Sequence, residues 1–179
     1  MLCCFSVLWS PSLKAQTTVS TAAELEAAIA AAASGDEILI SGTISPTDQI
    51  VVNKAVTIRS NAIGAYRTIS GAGVSGKAVF KVSAAATFQY LTFQNAAGGA
   101  VEATKGTFEH CKFLSNNSPN GNGGAISVLS GSVSVDWSTF SSNTARDRGG
   151  AIENKGTLTV NHSKFTGNSV TVYFGGAIS

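Results

Sequence analysis

From residue 87 onward the chain alternates apolar and polar residues in short runs, and the runs return at a near-constant interval. Aligned on phenylalanine they read QYLTFQN (89–95), EHCKFLSN (109–116), DWSTFSSN (136–143) and NHSKFTGN (161–168). Five residues before each aligned phenylalanine stand Phe88, Phe108, Val135 and Val160, and one step earlier Thr87, Thr107, Ser134 and Thr159. A strict period of two, rich in β-branched and aromatic residues, belongs to a strand with one buried face. The columns predicted to point inward are Phe88/Phe108/Val135/Val160, Leu91/Cys111/Ser138/Ser163 and Phe93/Phe113/Phe140/Phe165. A second short strand is predicted at each GGAI (123–126, 149–152, 175–178), with Ile126, Ile152 and Ile178 inward, and these tetrapeptides start 26 residues apart.

The repeating unit holds two or three strands and no helical period. Equivalent strands of successive units must then run the same way, which predicts an all-β parallel solenoid with one turn per repeat and strands ~4.8 Å apart. A glycine pair at each GGAI lets the chain turn and approach the coil below closely. Asn116, Asn143 and Asn168, each three residues after its phenylalanine, suit left-handed turns, and stacked they can hydrogen-bond side chain to side chain.

Ahead of the repeats, residues 16–36 read as an N-terminal cap. Thr21 and Glu24 stand in a capping-box relation, Leu25, Ala28, Ile29 and Ala32 share one helical face, and Gly35 ends the helix. Such a helix covers the open end of a solenoid core. Less regular strands are predicted at 37–40, 50–52, 56–59 and 78–82, with a turn over SGAGVSGK (70–77). The first fifteen residues, MLCCFSVLWSPSLKA, read as a secretory signal cut near Ala15. The apolar run is far short of the ~20 residues that span a bilayer. Its removal would leave Cys111 alone, and that residue is expected to be a small core residue rather than a nucleophile.

The pairing of GGAI with FxxN (FLSN, FSSN, FTGN) resembles the repeat of chlamydial-type polymorphic outer membrane proteins. The resemblance covers roughly residues 93–179, with GGAV (98–101) and FQN (93–95) as departures. It implies a right-handed, pectin-lyase-like parallel β-helix serving as the passenger of a surface autotransporter. The repeat breaks off inside a coil at GGAIS (175–179), so the chain is expected to be the front of a longer protein whose membrane anchor lies beyond Ser179.

Composition narrows the partners. Charged residues are 12% of the chain, about half the usual share, while 44% apolar residues suffice for a core. A formal charge of +2 gives no basis for a nucleic-acid or membrane-surface partner. No nucleotide loop, nucleophile elbow or HExxH occurs, so neither a cofactor nor a metal is expected. His110 and His162, three before their phenylalanines, are separated by a coil bearing Trp137 and read as stacked corner rings rather than metal ligands.

Catalysis has one pair to weigh. Glu109 and Asp136 both lie four residues before their phenylalanines and would stack on adjacent coils, as two carboxylates of a glycoside hydrolase require. The same column holds Gln89 and Asn161, which marks a polar solvent-facing row, and no catalytic residue is assigned. Glu102, Ser127 and Glu153 share a second outward position whose carboxylates are two coils apart, too sparse for a site.

The segments between FxxN and GGAI differ from coil to coil: NSPNGN (117–122), TARDR (144–148) and SVTVYF (169–174). Loops on a rigid repeat scaffold carry binding, and Arg146, Arg148, Tyr173 and Phe174 form the candidate contact patch. An equal alternative packs Val172 and Phe174 down on the coil. The expected function is a non-enzymatic, exported passenger or adhesin-like scaffold, secreted or at the bacterial outer membrane, whose partner is a host or environmental glycan or a surface protein. The alternative is a secreted polysaccharide lyase or glycoside hydrolase.

Overall fold

The computed structural model describes residues 14–121, 123–173 and 175–179. The expected signal sequence therefore lies almost wholly outside the described residues. What is described is all-β apart from one α-helix and a three-residue 3-10 turn, Gly71–Gly73.

Every strand pair is parallel, and each strand pairs with its equivalent in the neighbouring repeat, the arrangement of a β-helix-like solenoid. The largest sheet climbs through Gln16–Val19, Glu37–Ile40, Thr57–Ser60, Thr87–Gln89, Val101–Glu109 and Ile126–Asp136 to Ile152–Asn154 and Thr157–Asn161. A second sheet stacks Arg67–Ser70, Leu91–Gln94, Lys112–Leu114, Thr139–Ser141 and Lys164–Thr166. A third, of two-residue strands, joins Asn117–Ser118, Thr144–Ala145 and Ser169–Val170. Gln16–Val19 is thus the first rung of the solenoid, an element not separable from the cap by pattern alone.

The inward columns are those the alternation predicts. Phe88, Phe108, Val135, Phe93, Phe113 and Phe140 are fully buried, and the column of Leu91, Cys111 and Ser138 lies beside them. Register places like on like, so the rings stack nearly parallel: Phe93 on Phe113 at 4.9 Å, Phe113 on Phe140 at 4.6 Å, Phe140 on Phe165 at 4.7 Å. These separations match the ~4.8 Å between hydrogen-bonded strands. In the last coil Val160 and Phe165 are only half-buried, and Ile178 is exposed.

The asparagines form a ladder. Asn143 Oδ1 accepts from the backbone N–H and the Nδ2 of Asn116 at 3.0 and 2.9 Å. Its Nδ2 donates to Asn168 Oδ1 at 2.9 Å and to the Phe113 carbonyl at 3.0 Å. Both lone pairs and both protons of a fully buried amide are therefore used. The expected side-chain stacking is present, but the left-handed turn is not at the asparagines. Positive φ falls on the residue before each, Ser115 (53°), Ser142 (56°) and Gly167 (62°), and on Asn95 (56°). The kink one residue earlier turns the chain, and the amide of the following asparagine enters the core.

The N-terminal helix, Ala22–Ala31, starts with the predicted capping box: Thr21 Oγ1 accepts from the Glu24 N–H, and Glu24 Oε2 accepts from the Thr21 N–H. Leu25, Ala28 and Ile29 face the core. The helix stops before Gly35, which takes φ +96° in the following turn. Its last turn carries no base of its own; Lys54, from the next coil, donates Nζ to the carbonyls of Ala30 and Ala32 at 2.5 and 2.8 Å.

Asn143→Ala would leave two Asn116 donors and the Phe113 carbonyl unpaired in the core. It should cost about 3 kcal/mol or more, at ~1–3 kcal/mol per orphaned group. Asn168→Ala, at the half-buried end of the ladder, should cost clearly less; urea unfolding midpoints compare the two. The Arg59 guanidinium, bonded to Glu37 at 3.0 Å, holds that carboxyl below its ordinary range. A carboxyl with a depressed folded pKa contributes stability that is present above its unfolded value and lost as pH falls through the folded one. Arg59→Met should therefore flatten the acid limb of the stability profile, measured by thermal melts from pH 7 to pH 3.

Candidate functional site

Two surfaces of the solenoid carry side chains capable of recognition. The first is the corner that follows the largest sheet. Tyr90, His110, Trp137 and His162 all adopt positive φ, between 46° and 54°, which lets the chain turn between strands. Their rings stack in sequence at 4.8, 6.2 and 4.3 Å. Bulky residues rarely accept this backbone region, and repeated ring stacking offsets the strain. The two histidines are spaced by Trp137, as expected of corner packing.

Glu109 and Asp136 sit beside this corner as direct register partners. Each is engaged by a neighbouring residue. Glu109 Oε2 accepts from Gln89 Nε2 at 2.7 Å, while Asp136 Oδ1 accepts from the Trp137 N–H at 3.0 Å and contacts His162 Nδ1 at 3.0 Å. With its Nδ1 protonated, His162 is the donor. The pair is stacked as the alignment requires; Glu109 bonds within its row, and Asp136 bonds to residues of the aromatic corner.

The second surface lies where each GGAI opens a strand. In the turn at Gly149–Gly150, Gly149 has φ +53°, and a β-carbon on Gly150 would meet the backbone of Ser169 at about 2.5 Å. Only glycine permits that approach, which draws the variable loops down beside the strand that follows. A groove results, with outward strand residues on one wall and loops on the other.

The register Glu102–Ser127–Glu153 forms the strand wall. The carboxylates judged too sparse by spacing prove to line one cavity of about 220 Å³, closed opposite by the segments around Gly98, Ser118 and Asn120. Spacing along the axis reported their separation but not the loops that enclose them. Glu153 is buried, 3% exposed, and its charge is met by Lys155 Nζ at 3.1 Å. Glu153 and Lys155 also line an adjoining cavity of about 750 Å³, together with Asp147, Arg148, Tyr173 and Ser179.

The loop candidates divide accordingly. Arg148 and Tyr173 come together in the larger cavity. Arg146 does not line it: its backbone N–H donates to the carbonyls of Ser118 and Gly121, and its exposed side chain pairs with Asp147 at 3.7 Å. Val172 is 54% exposed and does not pack down on the coil. Phe174 lies outside the described residues. Glu102, Glu153 and Lys155 are the groove residues that sequence reasoning passed over.

Cys111 is buried, and burial pushes its thiol up to about 12. Its N–H donates to Ser138 Oγ at 3.0 Å, and the Ser138 N–H donates to Ser163 Oγ at 3.1 Å, so this column continues inward as a second polar ladder. No described group of three or more His, Cys, Asp or Glu side chains gathers as a metal-ion site.

The fold and its ladders define a parallel repeat solenoid. Within it, residues 138–155 match the Chlamydia polymorphic membrane protein repeat. That stretch runs from the strand bearing Phe140, through the ladder amide of Asn143 and the glycine turn, to Glu153 and Lys155. The match suggests a surface or outer-membrane protein of the chlamydial type. A search of the curated proteins gave no match.

At pH 8 the native protein should show no reaction of Cys111 with a thiol reagent over minutes, and reaction should appear only as the chain unfolds in denaturant. Cys111→Ser, which copies the next coil, should leave the fold intact by circular dichroism.

Proposed function

We propose that the chain is a surface passenger: an exported, non-enzymatic β-helix that holds variable loops in fixed register for binding. One observation carries this reading. The buried side chains repeat from coil to coil, while the loops between FxxN and GGAI at the same level differ in chemistry. A scaffold selected for rigidity keeps its inner ladders and lets its loops diverge. The repeat match and its suggestion of a surface location support the same reading. The partner is a glycan or surface protein of a host or of the environment, contacted by Arg146, Arg148, Tyr173 and Phe174.

A second reading, a secreted polysaccharide lyase or glycoside hydrolase, draws support from the Glu102/Glu153 cavity. Two coil steps of ~4.8 Å put these positions near the ~6.5–9.5 Å carboxyl spacing of inverting enzymes.

Fluorescently labelled protein should bind epithelial cells or extracellular-matrix preparations saturably. Changing Arg146, Arg148, Tyr173 and Phe174 together to serine should reduce binding at least tenfold without shifting the melting temperature by more than a few degrees. Reducing-sugar release from any polysaccharide, abolished by Glu153→Gln, would replace the scaffold reading with the enzymatic one.

A further inference from the structure

We propose that the groove beside the GGAI strands binds an uncharged, hydroxyl-rich linear glycan lying along the solenoid axis, with Glu153 as its central hydrogen-bond acceptor. This rests on the reading of the chain as a surface binding scaffold and names the ligand class for one of its faces.

The shape comes first. The two cavities share Glu153 and Lys155 and so form one continuous trough. It passes the levels of Ala78, Glu102, Ser127, Glu153 and Ser179, five successive coils. At ~4.8 Å per coil the trough is about 19 Å long, enough for several units of a linear polymer.

Chemistry then selects among polymers. The charged side chains lining the trough are three carboxylates, Glu102, Asp147 and Glu153, and two bases, Arg148 and Lys155. That balance, slightly negative, repels a polyanion and gives a polycation little net attraction. An extended peptide would seek unpaired strand backbone, but here the strand backbone is consumed between coils. The Ile126 N–H donates to the Ala151 carbonyl at 3.0 Å, and the Ile152 N–H donates to the Ala177 carbonyl at 2.9 Å.

A sugar hydroxyl both donates and accepts, so it can bridge a carboxylate and an ammonium held 3.1 Å apart, as Glu153 and Lys155 are. At one end Tyr173, 61% exposed, supplies an aromatic surface for the apolar face of a sugar ring.

The test is isothermal titration and affinity electrophoresis of the full chain against neutral glucans, xylans and mannans, with pectate and heparin as charged controls. Saturable binding to at least one uncharged polysaccharide is expected, without its cleavage. Glu153→Gln should weaken it at least tenfold and Glu102→Gln less, whereas Ile63→Ala, an exposed side chain outside the groove, should leave it unchanged. Circular dichroism and melting confirm folding, and Tyr173→Ala provides an independent groove variant should Glu153→Gln fail to fold. Preference for the charged controls, absence of binding to every neutral glycan, or binding indifferent to the foldable groove variants would overturn the inference. Cell binding that persists in a protein blind to neutral glycans would sink the groove proposal alone; loss of cell binding as well would sink the scaffold reading with it.

Discussion

The structure depends on a buried amide whose partners all lie on the coils before and after it. Asn143 uses every donor and acceptor of its side chain on the coil before and the coil after. In a low-dielectric core an unpaired amide is costly, so each asparagine demands polar partners one strand spacing away, the next asparagine on one side and backbone groups on the other. That demand fixes register: a slip by one residue would bring a polar amide against apolar neighbours and break several bonds at once. The phenylalanine stacks beside the ladder are non-directional in comparison; they add apolar burial and follow the register that the amides impose.

A core locked in this way concentrates variation on its outside. Besides the glycine turns, two kinks recur from coil to coil, one before each ladder asparagine and one at the aromatic corner, and, Gly167 apart, they place side chains other than glycine in left-handed geometry. The glycine pairs bring the divergent loops so close to the strand wall that a carboxylate, Glu153, becomes buried there. A buried charge on the outer wall of a solenoid has no part in the internal packing. Lys155 compensates it locally, and both stay next to a trough large enough for a ligand. This contrasts with Glu109 and Asp136, which are met by Gln89 in the same row and by His162 at the adjoining corner.

Much of this was legible in the chain. The period-two alternation, the recurring phenylalanine and the interval between GGAI segments determine a parallel stacked solenoid, its inward columns and the stacking of asparagines. Each is a statement about positions one coil apart, and a repeat makes such positions visible by alignment. The capping box of Thr21 and Glu24 is equally local. What tertiary structure decided lies across the coil or between unlike segments. Lys54 caps a helix from the next coil; the left-handed kink sits one residue before the asparagine, set by where the amide must point; Gln16–Val19 becomes a strand because Glu37–Ile40 offers it an edge. Glu102 and Glu153 share a cavity because loops remote in sequence fold against their strands. Alignment reports spacing along the axis, and enclosure depends on what stands opposite, which no periodicity encodes.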